Sequence, residues 1–321
     1  MKKNKYFYMK PLAKNIVFID GIPRAGKLMT GAIVSSFNRM ESIEFGENFE
    51  HFLPALKFKK CTYDYAKSYL CNYINQLIYD KMISRNVNFR PSDRTGIPNY
   101  FNPKIYKNRL KMSEGDLVLK KIKEKKPILP FVTHDVMVNY SVFSKLNLNV
   151  KFIQLFRNPI DLAYSWYKRG LGNRWGKDPK IFTLLLKKHK KAYPWYLYNF
   201  SKNFIKMNNC ERCIYYVILL TKKSIKEYKK INNKKKIYLT TYEKIVEDSH
   251  KELIKISRYL NTNFSKRTIK IIKKEKLPKK IKNKDHIYKL NFIKNRVDPK
   301  VFKQLILFTK KYNKNLYGLI K

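Results

Sequence analysis

The chain predicts an α/β fold built on one parallel sheet flanked by helices, with helical insertions. Three observations predict it. Four short apolar runs rich in β-branched and aromatic residues, at 15–20 (NIVFID), 127–133 (PILPFVT), 150–156 (VKFIQLF) and 236–241 (KIYLTT), have the unbroken hydrophobicity of strands covered on both faces. Helical patterns alternate with these runs, as parallel pairing requires. The residues with the most distinctive chemistry follow the runs directly, where open α/β sheets bind ligands.

Taken in order, the first run ends in a turn with Pro and two Gly (21–27), and 28–40 reads as a helix. Residues 64–84 read as a helix and 90–103 as a Pro/Gly/Asn-rich loop. Ser113-Glu-Gly-Asp116 resembles a cap for a short helix reaching Lys125. The second run ends in His134-Asp135, the third leads into a helix at 159–169, and the fourth into a helix at 242–260. The Lys-rich stretches 222–236 and 270–284 read as solvated helix faces and loops.

Composition bounds the rest. Of 321 residues, 44% are hydrophobic, enough for a real core. At about 150 residues per domain the length allows two domains, but no repeat or linker divides the chain. The expectation is therefore a single domain, 1–321, with its core from about 14 to 320. No stretch reaches the ~18–20 apolar residues of a membrane span, and residues 1–20 lack the apolar core of a secretory leader, so a cytoplasmic protein is expected. The net charge of +48 suits an anionic partner. The excess is mostly Lys accompanied by Asn, Ile and Tyr, however, a set with A/T-rich codons, and it forms no Lys/Arg stripe. Nucleic acid is accordingly not the expected partner. Four cysteines are too few for a disulfide framework. Cys210-Glu-Arg-Cys213 has no second ligand pair for zinc, and no metal is expected.

Two strand ends carry the site. The loop Gly21–Thr30 (GIPRAGKLMT) contains G-x4-G-K. A Gly-containing turn entering a helix offers free backbone N–H groups and the positive end of the helix dipole to an anion, with Arg24 and Lys27 as added cations. Where a Mg-nucleotide loop places Ser or Thr after the Lys, this chain has Leu28, and the next hydroxyl is Thr30. The loop suits a phosphate-like group without Mg²⁺. After the third strand, Arg157 is followed eight residues later by Ser165 on the next helix, in RNPIDLAYS. Together they can grip a second phosphate through charge-assisted bonds.

The run Arg157-x-Pro159-x-Asp161-x-x-x-Ser165 resembles the 3′-phosphate motif of sulfotransferases that use 3′-phosphoadenosine 5′-phosphosulfate (PAPS). Pro23-Arg24-Ala25-Gly26 is similar to that family's 5′-phosphosulfate loop, and Tyr242–Asp248 (YEKIVED) to a later Tyr-Glu segment. The three occur in family order. The resemblance implies a P-loop NTPase-like fold and transfer of a sulfuryl group from PAPS to a hydroxyl or amine acceptor, a carbohydrate or small molecule. It implies that Pro23, Arg24, Ala25, Gly26, Lys27 and Leu28 form the phosphosulfate loop, with Arg24 at the position of the loop cation. Arg157 and Ser165 would hold the 3′-phosphate. Ala25, Lys27 and Leu28 depart from the hydroxyl residues common there; Lys27 is expected to compensate as a cation and Thr30 to reach back.

The base that deprotonates the acceptor is expected at His134, with Glu44 and Glu47 as the other candidates. Three other readings stay open. A P-loop kinase would place Lys27 on the phosphates and Asp135 near a metal. The chain could also be a catalytically inactive sulfotransferase-like scaffold, or a basic nucleic-acid-binding protein.

Overall fold

Alternation along the first strand decides the architecture. The computed structural model describes residues 5–176, 178–188, 190–199 and 201–320, with backbone only at 201–203, 315 and 317–320. β1 (Asn15–Asp20) sends Ile16 and Phe18 into one apolar cluster and Val17 and Ile19 into another. A strand buried on both sides in this way needs helices on both faces. Phe18 meets Phe49, Phe131 and Phe152 edge-on, at ring separations of 4.7, 5.8 and 5.3 Å. The helices Glu47–Lys57, Tyr63–Ile83 and Asp116–Lys125 close this face. The opposite face is closed by Lys27–Val34 and by Tyr242–Glu247 and Ser249–Tyr259. Each fully buried Phe or Ile here contributes about 1.5–3 kcal/mol of transfer free energy.

The remaining strands are β2 (Glu44–Phe45), β3 (Ile128–Val132), β4 (Val150–Phe156), β5 (Leu185–Lys188), β6 (Lys191–Pro194) and β7 (Ile237–Thr241). The main sheet is ordered β2-β3-β1-β4-β7 and all its pairings are parallel. This is the expected P-loop-like α/β sheet flanked by helices. β1 lies centrally, with the chain running to one side through β2 and β3 and to the other through β4 and β7. Its C-terminal end is therefore the switch point at which such sheets open a crevice.

All four predicted strands form within one residue of their expected ends. Two predicted helices are shorter than expected. The helix after β1 stops at Val34 because Ser35 Oγ donates to Gly31 O (2.6 Å) and Ser36 Oγ to Ile33 O (2.5 Å), turning the chain out of helical register. The 242–260 helix is broken at Asp248, whose φ of −112° and ψ of 40° lie outside the helical region. The antiparallel pair β5–β6 lies in a segment without expected elements. Cys210 and Cys213 are buried free thiols on the helix Asn209–Lys229.

Candidate active site

The loop after β1 is built around left-handed backbone. Gly26, the residue before the helix Lys27–Val34, has φ 100°, and a Cβ there would lie 2.6 Å from Cδ2 of Tyr242. Only glycine fits both demands. Arg24 is also left-handed, at φ 72°, a conformation that costs a non-glycine residue energy and tends to occur at functional sites.

The structure brings Arg157 and Ser165, the pair expected on one phosphate, into a single cleft together with Arg24 of the first loop. Arg24 Nε donates to Ser165 Oγ (2.9 Å), and Arg157 Nη1 donates to the Arg24 carbonyl (2.9 Å). Trp166 Nε1 donates to Pro23 O (2.7 Å), so the helix Pro159–Lys168 holds the loop from two successive residues. That helix starts cleanly because Asn158 Oδ1 accepts from the backbone of Ile160 (2.9 Å) and Pro159 occupies its first turn. Arg24, Arg157, Asp161, Tyr164, Ser165, Lys168, Arg169 and Lys289 line a cleft of about 480 Å³. Five are cations and one is an acid. The acid is already engaged, since Lys289 Nζ donates to Asp161 Oδ1 at 2.8 Å. Burial and repulsion from Arg169 and Arg157 lower the Arg24 pKa. Arg157 Nε is buried with no hydrogen-bond partner among the described residues. An anion in the cleft would relieve the repulsion among these guanidinium groups.

Tyr242 and Glu243 have no role assigned by sequence, and the structure gives them one. The Tyr242 ring lies against Gly26 and under the Arg157 guanidinium, 4.1 Å from its centroid. Glu243 Oε1 accepts from the Asn158 amide (2.9 Å). The third motif thus supports the first two from β7. Arg169 was also not foreseen, although it lies one helical turn beyond Ser165, on the same face. Lys289 comes from a distant helix, Asn283–Lys294, and had no local signal.

Lys27 is placed differently from an open phosphate cation. Its side chain is buried, and its ammonium donates back to the loop carbonyls of Gly21 and Ile22, the latter at 3.1 Å. Burial brings its pKa down to about 8, with Asp20 and Asp135 opposing the shift. Thr30 does reach back, with Oγ1 donating to Gly26 O (3.2 Å). Ala25 is fully buried in the core, and Leu28 is half-buried at the start of the helix. Asp20 accepts from Thr133 Oγ1 (2.7 Å) and from the Met137 amide (2.9 Å), which ties the ends of β1 and β3 together.

His134 follows β3 and meets the carboxylate of Glu50, which is neither of the two glutamates considered as alternative bases. Glu50 Oε1 accepts from the His134 backbone amide and lies 3.2 Å from Nδ1. This arrangement favours the tautomer with the proton on Nδ1 and leaves Nε2 as the acceptor. Phe45 stacks on the imidazole at 6.4 Å. Glu47, one turn earlier on the same helix, is exposed to solvent. Glu44 is committed to the buried Lys81 ammonium at 2.5 Å. Next to His134, Asp135 has φ 65°, and its Oδ1 is buried without a partner among the described residues. Burial pushes its pKa up to about 8, against the pull of Lys27.

The C-terminal end of the parallel sheet thus carries a cationic cleft and, beside it, a histidine–carboxylate pair. Residues 14–304 match the sulfotransferase domain family, and the chain belongs to that family. Solved structures similar to it include the sulfotransferase domain from the curacin biosynthetic pathway, at 12% identity and TM-score 0.49, covering 97% of this chain and 99% of that one. The sulfotransferase domain of the Synechococcus PCC 7002 olefin synthase is similar at 13% identity and TM-score 0.42, covering 96% and 98%. Retinol dehydratase, solved with androsterone and the inactive cofactor PAP, is similar at 14% identity and TM-score 0.36, covering 96% and 81%. No curated protein sequence matches the chain significantly.

Proposed function

We propose that this sulfotransferase uses PAPS as its donor and passes the sulfuryl group to a hydroxyl or amine on a carbohydrate or other small acceptor. The observation that carries the reading is the convergence of Arg24, Arg157 and Ser165 on one cationic cleft. Arg157 and Ser165 would hold the 3′-phosphate, helped by Arg169. The backbone from Pro23 to Leu28 would hold the 5′-phosphosulfate at the start of the helix. When bound, the donor supplies an activated sulfuryl group whose departure puts negative charge on the bridging oxygen. Arg24 is the cation available to stabilise that charge, and a pre-formed cation there lowers the barrier without reorganisation. Lys27 serves this loop through its backbone and by bracing Gly21 and Ile22.

His134 Nε2 would take the proton of the acceptor, while Glu50 holds the ring through Nδ1 and stabilises the charge that forms. The four unpaired thiols are in keeping with a reducing, cytoplasmic setting. The test is His134→Ala, which should lower turnover at least ~100-fold and leave affinity for adenosine 3′,5′-bisphosphate unchanged. Unchanged turnover would remove His134 from the mechanism.

A further inference from the structure

Residues 5–14, ahead of β1, have no regular secondary structure, yet they are held in register along the helix Tyr63–Ile83. The Tyr6 amide donates to Asp64 Oδ2 (3.1 Å), Ser68 Oγ donates to Phe7 O (2.5 Å), and the Leu12 amide donates to Asn75 Oδ1 (2.6 Å). The Tyr6 ring packs against Tyr65 at 5.1 Å, and the Lys67 ammonium sits 3.9 Å over Tyr8. Held this way, the strap presents its apolar side chains to solvent: Phe7 is 81% exposed and Met9 67%. Tyr65 and Tyr69 on the supporting helix are exposed beside them. A fixed apolar patch of this kind marks an interaction surface.

The surrounding charge identifies the partner. Residues 1–14 contain five lysines and no acid, and Lys5, Lys10 and Lys14 are exposed. The nearby Asp64 is occupied by the Tyr6 amide. We infer that this face docks peripherally on an anionic lipid bilayer. Phe7 and Met9 enter the acyl boundary, the tyrosines sit at headgroup level, and the lysines meet the lipid phosphates. Anchors already fixed by the helix lose little conformational entropy on binding. A single-stranded nucleic acid would instead need open ring faces for base stacking. The strap offers Phe7 as a largely open ring, while Tyr6 packs edge-to-face with Tyr65 and Tyr8 lies under the Lys67 ammonium, so it makes no row of stacking platforms for successive bases. No helix among the described residues is long and apolar enough to cross a membrane, so the mode is attachment to the surface.

The test is co-sedimentation of the full chain with phosphatidylcholine vesicles and with vesicles of equal parts phosphatidylcholine and phosphatidylglycerol, at low and high salt. Wild type should bind the anionic vesicles selectively and keep a bound fraction at high salt, where diffuse lysine attraction is screened. The double variant Phe7→Ser/Met9→Ser should partition at least ~10-fold more weakly and lose the salt-resistant fraction, with its thermal melt unchanged. Binding by the double variant equal to wild type would overturn the inference. So would binding that salt abolishes completely in wild type. A single-stranded RNA oligonucleotide that binds wild type and loses affinity ~10-fold in the same variant would overturn it in favour of nucleic acid.

Discussion

Replacing Glu50 with Gln keeps the shape of the side chain and removes the charge facing His134. In the wild-type protein, Glu50 Oε1 accepts from the His134 backbone amide and lies 3.2 Å from its Nδ1. A hydrogen bond to a charged partner contributes about 1.5–3 kcal/mol. The His134 side chain is 34% exposed and that of Glu50 17%, so solvent screening points to the lower part of that range. A loss of about 1–2 kcal/mol in transition-state stabilisation corresponds to a ~5- to 30-fold fall in kcat/KM. Nucleotide affinity should stay within about twofold, because Glu50 does not line the Arg24–Arg157 cleft. Two assays check this. One is turnover of PAPS against a panel of sugar and phenol acceptors. The other is long-range ¹⁵N–¹H NMR of the imidazoles, which reports the tautomer directly and needs no acceptor. Wild-type His134 should carry its proton on Nδ1, and Glu50→Gln should shift the population toward Nε2–H. A wild-type His134 protonated on Nε2, or a tautomer indifferent to Glu50, would refute the reasoning.

Two further predictions concern stability. Gly26→Ala places a side chain at φ 100° with its Cβ 2.6 Å from Tyr242. It should cost about 1–3 kcal/mol, lower Tm in calorimetry by roughly 1.5 °C per kcal/mol, and weaken bisphosphate binding because Tyr242 supports Arg157. Asp135, with its pKa raised to about 8, binds a proton in the folded state that the unfolded chain has already released. Its contribution is therefore intact below about pH 4 and is lost as pH rises to about 8, at no more than about 1.4 kcal/mol per pH unit. Asp135→Asn should match wild type near pH 4, become progressively more stable than it up to pH 8, and hold a constant advantage above. Urea unfolding across that range measures the difference, and a constant difference from pH 4 to 8 would contradict the assignment.

Much of this site was legible because its determinants are local. The buried strands announce themselves as unbroken apolar runs, and the turns after β1 and β4 carry Gly26, Arg157 and Ser165 in short motifs. Arg169 was within reach, since the Ser165–Arg169 spacing is one helical turn. What the sequence does not show depends on tertiary placement. The exposure of Glu47 and the contact made by Glu50 follow from how the helix Glu47–Lys57 sits on the sheet, and a single turn separates them. Lys27 reads as a free cation, but the tight loop turns its ammonium onto carbonyls six and five residues back. Lys289 reaches Asp161 from 128 residues away. The early end of the helix after β1 depends on two serine hydroxyls competing with the backbone, which the apolar pattern through residue 40 conceals.

We propose that the Arg24–Arg157–Ser165 cleft receives a nucleotide carrying a 3′-phosphate. The most direct test is calorimetric titration of adenosine 3′,5′-bisphosphate, AMP and ATP–Mg²⁺ into wild type and Arg157→Ala. Comparing ligands within each protein separates a specific phosphate site from the general attraction of a chain with net charge +48. Wild type should prefer the bisphosphate over AMP without Mg²⁺, and Arg157→Ala should lose ~10- to 100-fold of that preference, as removal of charge-assisted bonds should. Equal binding of AMP and the bisphosphate, or a preference for ATP–Mg²⁺, would contradict it.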